Sequence, residues 1–141
     1  MANSVQCDIV SAQEKIFTGR VELLVAAASH GDVGVMAGHA PMLTGLNPGP
    51  VRIVKEGGDD EEIYYVSGGY LEVQPDHVTI LADTALRAGD MDEAAAEKAR
   101  QEAERELANR TDEMDYTRAA AQLVEAAAKL RTLEKIRKYK R

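Results

Sequence analysis

Tryptophan is absent from this 141-residue chain, and phenylalanine and cysteine occur once each. A single cysteine excludes an internal disulfide. Cys7 alternates with Val5 and Ile9, the pattern of a strand core position and not of a nucleophile. Glycine and proline are missing from one stretch: all eleven glycines and four prolines lie at or before Gly89, and residues 90–141 contain neither. Both residue types punctuate turns and break helices, so the first part must change direction often, while the remainder can run as helix. The longest apolar run, residues 21–28 interrupted by Glu22, falls far short of the roughly 20 residues of a membrane span. The start also lacks the basic region and apolar run of a secretory signal. These absences predict a soluble, cytoplasmic chain without membrane insertion.

What is present divides in the same way. Short runs rich in branched and aromatic residues, at 5–9, 21–26, 51–54, 63–66, 70–73 and 78–81, are separated by Gly31-Asp32, Asn47-Pro48-Gly49-Pro50, Gly57-Gly58, Gly68-Gly69 and Pro75-Asp76. This spacing predicts an antiparallel β-sandwich or barrel. After Gly89 the period becomes helical. Asp90 with Glu93 has capping-box spacing, and Ala96, Ala99, Ala103 and Leu107 follow at steps of three and four. Residues 109–115 read as a connecting loop, and a second helix follows with Ala120, Leu123, Ala127, Leu130 and Leu133 on one face. The expected organisation is a β-sandwich over 1–88 and an antiparallel helical hairpin over 89–141.

The net charge of −7 is unevenly placed: residues 90–115 carry ten acidic and four basic groups, and residues 116–141 carry two and eight. Opposite charge favours docking of the two helices, and gives each a preference for a partner of opposite sign. Alanine contacts bury little apolar area, so the hairpin reads as either permanently docked or detachable for a few kcal/mol. His30, Asp32 and His39 match no zinc spacing, no nucleophile elbow or phosphate loop is present, and no metal or cofactor is predicted. The terminal residues 135–141 hold five basic groups, but overall acidity argues against nucleic acid. An acidic protein surface, or solvent alone, suits that tail.

Three segments carry a resemblance. Gly34-Val-Met-Ala-Gly-His-Ala-Pro-Met-Leu-Thr44 followed by Pro48-Gly49, then Ser67-Gly-Gly-Tyr-Leu-Glu-Val73, then Val78-Thr-Ile-Leu-Ala-Asp-Thr84, closely resemble the epsilon subunits of bacterial F-type ATP synthases. The match runs from Val5 to the basic tail in the family's order. It implies a sandwich of two five-stranded sheets followed by two helices. It also implies a non-catalytic rotor subunit on the cytoplasmic face of the bacterial membrane, joining the gamma subunit to the c-ring and inhibiting ATP hydrolysis through mobile helices. By the same resemblance Asp32 approaches the c-ring and His39 faces gamma, although a turn histidine satisfied locally is an equal reading. Lys129, Arg131, Lys135, Arg137, Lys138, Lys140 and Arg141 would meet the catalytic beta subunit of the alpha/beta head. Relatives that bind ATP start their first helix with an aliphatic residue, Asp, two variable residues and Arg-Ala, whereas this chain reads Met91-Asp92-Glu93-Ala94-Ala95-Ala96. Ala95 replaces the arginine, a methyl group cannot stand in for a guanidinium, and no nucleotide site is expected. A different class, an adaptor whose hairpin dimerises, would be marked by a homodimer indifferent to gamma.

Overall fold

The computed structural model describes residues 3–109 and 113–139. Its strands are β1 (Val5–Ser11), β2 (Lys15–Ala28), β3 (Gly31–Val35), β4 (Met42–Lys55), β5 (Glu61–Val66), β6 (Gly69–Gln74), β7 (His77–Ala82) and β8 (Ala85–Arg87). A 3-10 turn at Ala88–Asp90 leads into α1 (Glu93–Ala108) and α2 (Glu113–Tyr139). The strands form one ladder, β3-β2-β1-β7-β6-β4-β5-β8, with β2 also paired to β4. That extra pairing doubles the ladder back on itself. β2 pairs with β1 through 15–21, then with β3 and β4 through 21–28; β4 pairs with β6 through 42–46, then with β5 through 49–54. Two layers of five strand segments result, drawn from eight strands because β2 and β4 serve both.

The segment expected to turn, Asn47-Pro48-Gly49-Pro50, lies inside β4 at the point where that strand changes partner. A proline is tolerated there because the ladder is already interrupted. β1 and β7 pair in parallel, from Gln6↔His77 to Ser11↔Ala82, and every other described pairing is antiparallel. Alternating side chains show which face is buried and carry no information about strand direction.

Cys7, Ile9, Val21, Leu24, Ile53, Tyr64, Leu71, Val78 and Ile80 form the centre of the core. Burial, with a smaller contribution from the charge on Asp8, pushes the Cys7 thiol up to about 12, which keeps it protonated and inert. Asp8 points outward on β1 and accepts from Thr18 Oγ1 at 2.5 Å and Gln6 Nε2 at 3.4 Å, with His77 Nε2 3.2 Å from its other oxygen. The Thr18 hydrogen bond is the largest influence holding its carboxyl below the ordinary value. The lowered folded-state value means that Asp8 stabilises the fold above the ordinary carboxylate range, and that this contribution is lost as pH falls through the lowered value. Asp8→Asn is therefore expected to cost roughly 1 kcal/mol at pH 7. Urea unfolding of both proteins should show the difference closing below about pH 4; a difference independent of pH would refute the charge argument.

Asp92, not Asp90, caps α1: its side chain accepts from the Ala95 N–H at 3.1 Å, while Asp90 ends the 3-10 turn. Helix α2 begins at Glu113, earlier than the expected end of the loop. Its deepest residues are Ala119, Ala126, Ala128 and Thr132, while Ala120, Leu123, Ala127, Leu130 and Leu133 are only partly covered. The reason is that α2 packs on α1 and also on β4 and β5. At 100° per residue, Ala119 and Ala126 lie on one side and Ala128 and Thr132 on the opposite side.

Candidate functional site

Two faces of the sandwich are chemically distinctive, and each contains residues singled out in the sequence. The first is the seam with α2. On β5, Tyr64 and Val66 point into the core, whereas Ile63 and Tyr65 are buried outside the core cluster. The strand has a cover on both sides, which explains why residues 63–66 are apolar without alternation. Lys129 places its ammonium 5.6 Å from the Tyr65 ring centroid and 3.4 Å from Glu125 on its own helix. Two residues further, Arg131 Nη2 donates to the Pro48 carbonyl at 3.3 Å. Burial is the main cause that pushes the Tyr65 phenol upward. Of the seven cations picked out in the sequence, Lys129 and Arg131 are thus turned toward their own sandwich, and Lys135 is half-buried. The side chains of Arg137 and Lys138, and all of Lys140 and Arg141, lie outside the described residues.

Beside this seam, Tyr64 donates its hydroxyl to Glu62, which also holds Lys55 at 3.0 Å. Burial works to raise the Glu62 carboxyl, but these bonds and the facing cations outweigh it and hold the carboxyl low. Arg87 stacks over the Tyr64 ring at 5.7 Å, and Arg100 pairs with Glu97 and, at 2.7 Å, with Glu104. Arg87 is thus held on β5 and Arg100 within α1, and neither lines the cleft at the start of α1. The cleft there, of about 510 Å³, has Ala95 on its wall, and its charged lining is Asp90, Asp92, Glu102 and Glu125 against Lys129 alone. Carboxylates in that excess repel a polyphosphate.

The second face lies on the other layer. Val10, Leu81 and Tyr70 are register neighbours across β1, β7 and β6, and Leu43 flanks them on β4. Leu43 is 70% exposed, Tyr70 59% and Leu81 51%. The loop holding His39 borders this layer: the Gly38 N–H donates to the Pro75 carbonyl in the turn between β6 and β7. His39 is half-buried, with Nδ1 2.7 Å from the Ala40 carbonyl and its backbone N–H on the Met36 carbonyl. Met36 in that loop is itself exposed. Asp32 sits apart, exposed on edge strand β3 opposite Ala27. The structure therefore brings His39 to the apolar layer, brings Lys129 and Arg131 to the seam, and leaves Asp32 at an edge. Neither the apolar row nor Tyr65 was recognised from the sequence. The unbroken run at 63–66 was the available signal for Tyr65.

Residues 4–88 match the model of the ATP synthase delta/epsilon chain β-sandwich domain, and residues 90–134 that of the delta/epsilon chain long α-helix domain. The chain belongs to the ATP synthase delta/epsilon family. Over its whole length it is 64% identical to all of the ATP synthase epsilon chain of Teredinibacter turnerae. The epsilon chain of Chromohalobacter salexigens is 60% identical over 95% of this chain and 94% of that protein. Among solved structures, a chain of the Euglena gracilis mitochondrial ATP synthase, in an assembly that includes the c-ring, superposes with a TM-score of 0.83. The superposition covers 91% of this chain and 80% of that one at 24% identity. A chain of the Tetrahymena thermophila central stalk and c-ring gives 0.62 over 92% and 96% at 13% identity, so both likenesses concern the fold. As an epsilon-type chain of this family it is a subunit of the synthase rather than its catalytic part. No helix among its described residues is long and apolar enough to cross a membrane.

Proposed function

We propose that the sandwich, residues 1–88, is a rotor piece that docks the gamma subunit through the Leu43–Tyr70–Leu81 row and the His39 loop, and meets the c-ring at the edge strand carrying Asp32. The hairpin, residues 89–141, is the regulatory part. The carrying observation is the exposed apolar row, since large exposed apolar side chains on adjacent strands mark a surface built for a partner. Docked on β4 and β5, the hairpin holds Lys129 and Arg131 on the sandwich. Released, it presents them with Lys135, Arg137, Lys138, Lys140 and Arg141 to an acidic surface of the alpha/beta head and slows hydrolysis. The complex places this subunit at the cytoplasmic face of the bacterial membrane. The acidic cleft beside Ala95 fits a chain that does not take ATP as its signal.

The test compares ATP hydrolysis by the catalytic complex carrying the full chain with one carrying a version ending at Gly89. Hydrolysis is expected to rise several-fold on truncation, while the shortened chain still co-elutes with gamma. Equal hydrolysis would refute the regulatory role, and loss of co-elution would refute the assignment of gamma docking to the sandwich.

A further inference from the structure

Tyr65 and Tyr64 are adjacent, both are fully buried, and they differ in one respect. The Tyr64 hydroxyl has Glu62 and Arg87 as partners, whereas the Tyr65 hydroxyl has no hydrogen-bond partner among the described residues. Tyr65 lies outside the core cluster, on the strand that α2 covers, so the docked helix is what separates this hydroxyl from water. We propose that Tyr65 is a two-part latch for the hairpin: its ring holds docked α2 through Lys129, and its hydroxyl limits how firmly that helix can dock.

The two parts act with opposite sign. Docking buries the ring against α2 and sets the Lys129 ammonium over its face, a cation–π contact that strengthens as water is excluded. Docking also strips water from a hydroxyl that gains nothing in return, and an orphaned buried polar group of this kind shifts an equilibrium by roughly fivefold or more. Release reverses both: the ring loses its cover, and the hydroxyl regains solvent. Lys129 keeps Glu125 in either state, because that pair lies within one helix and travels with it. The ring contact and the Arg131 bond to Pro48 are what release must break for these two cations. The latch therefore holds the same side chains that the regulatory reading assigns to the head, and α2 cannot use them in both places at once.

This inference rests on the reading of the hairpin as detachable, and its test separates the two. The readout is backbone amide hydrogen exchange in the full-length protein, comparing amides of α2 around residues 126–132 with those of β1, β6 and β7. Tyr65→Phe keeps the ring and removes the orphan, and should slow exchange in α2 by about fivefold. Tyr65→Leu should quicken it by roughly tenfold through lost ring burial. Lys129→Met should quicken it about threefold alone, and add nothing in the Tyr65→Leu background. Strand amides should hold constant throughout, which distinguishes a loosened hairpin from a damaged sandwich. Unchanged or faster exchange in Tyr65→Phe would overturn the role of the hydroxyl, and full additivity of Lys129→Met with Tyr65→Leu would overturn the role of the ring. Should Tyr65→Leu fail to fold, Tyr65→Phe and Lys129→Met alone decide the question. If exchange shifts as expected but hydrolysis by the complex does not follow, the latch stands and the regulatory reading falls.

Discussion

Replacing Gly69 by alanine should unfold the sandwich at temperatures where the parent chain is stable. Gly69 has φ +132°, a region that L side chains rarely adopt, and a Cβ there would collide with the backbone carbonyl of Leu81 on the paired strand β7. The obstacle is main chain within a ladder, so it cannot swing aside as a flexible side chain would. Backbone strain of about 1–3 kcal/mol adds to an overpacking cost of similar size, for a total of roughly 3–5 kcal/mol. A domain of this size loses about 4–8 °C per kcal/mol, which places the fall in Tm at roughly 15 °C or more by circular dichroism. Gly31→Ala is the control. Its φ is +120°, but nothing lies within 4 Å of the added carbon, so only the strain applies. Equal losses at the two positions would show that collision with Leu81 contributes nothing.

The second large effect concerns charge. Changing Lys135, Arg137, Lys138, Lys140 and Arg141 together to glutamine should raise ATP hydrolysis by the catalytic complex several-fold. Residues 116–141 carry eight basic groups against two acidic ones, and glutamine preserves helix propensity while removing the excess. Exposed pairs are worth about 0–1 kcal/mol each, so single changes should do little while five together become visible. Added salt should act in the same direction, because the screening length is already about 10 Å at 0.1 M and shortens further. Lys129 and Arg131 are left out of this set because they also engage the sandwich, and changing them would alter docking as well. Full inhibition by the five-fold variant across a salt series would leave steric obstruction by the helix as the better account.

Much of the architecture was legible because it depends on local chemistry. The loss of glycine and proline after Gly89 marks the change from strands to helices, and the alternation around Cys7 marks its burial. The arginine missing at Ala95 was equally visible, and the structure adds that Arg87 and Arg100 are engaged elsewhere. Features decided by tertiary pairing were not legible. The parallel register of β1 on β7 depends on what crosses between them, and the passage of β4 from one layer to the other turns a proline-rich segment from a turn into a bend within a strand. The expected face of α2 was displaced for a related reason. A helix packed on two sides has small residues on opposite sides, Ala119 and Ala126 against Ala128 and Thr132, and a single stripe no longer describes it. Tyr65 was obscured because a buried tyrosine and a surface tyrosine look alike until the covering element is known.

The continuity of β2 and β4 through both layers has a mechanical consequence. In a sandwich made of two separate sheets, the layers meet only through side chains, and a sideways load can slide one over the other at the cost of repacking. Here such sliding would have to stretch two covalent backbones, that of β2 near Val21 and that of β4 between Leu46 and Gly49, where each strand passes from one layer to the other. A load applied to the layer bearing Tyr70 and Leu81 therefore reaches the layer beneath α2 as tension along the chain. The fold is stiff in shear by virtue of its connectivity, and does not depend on a tightly interlocked core for that stiffness.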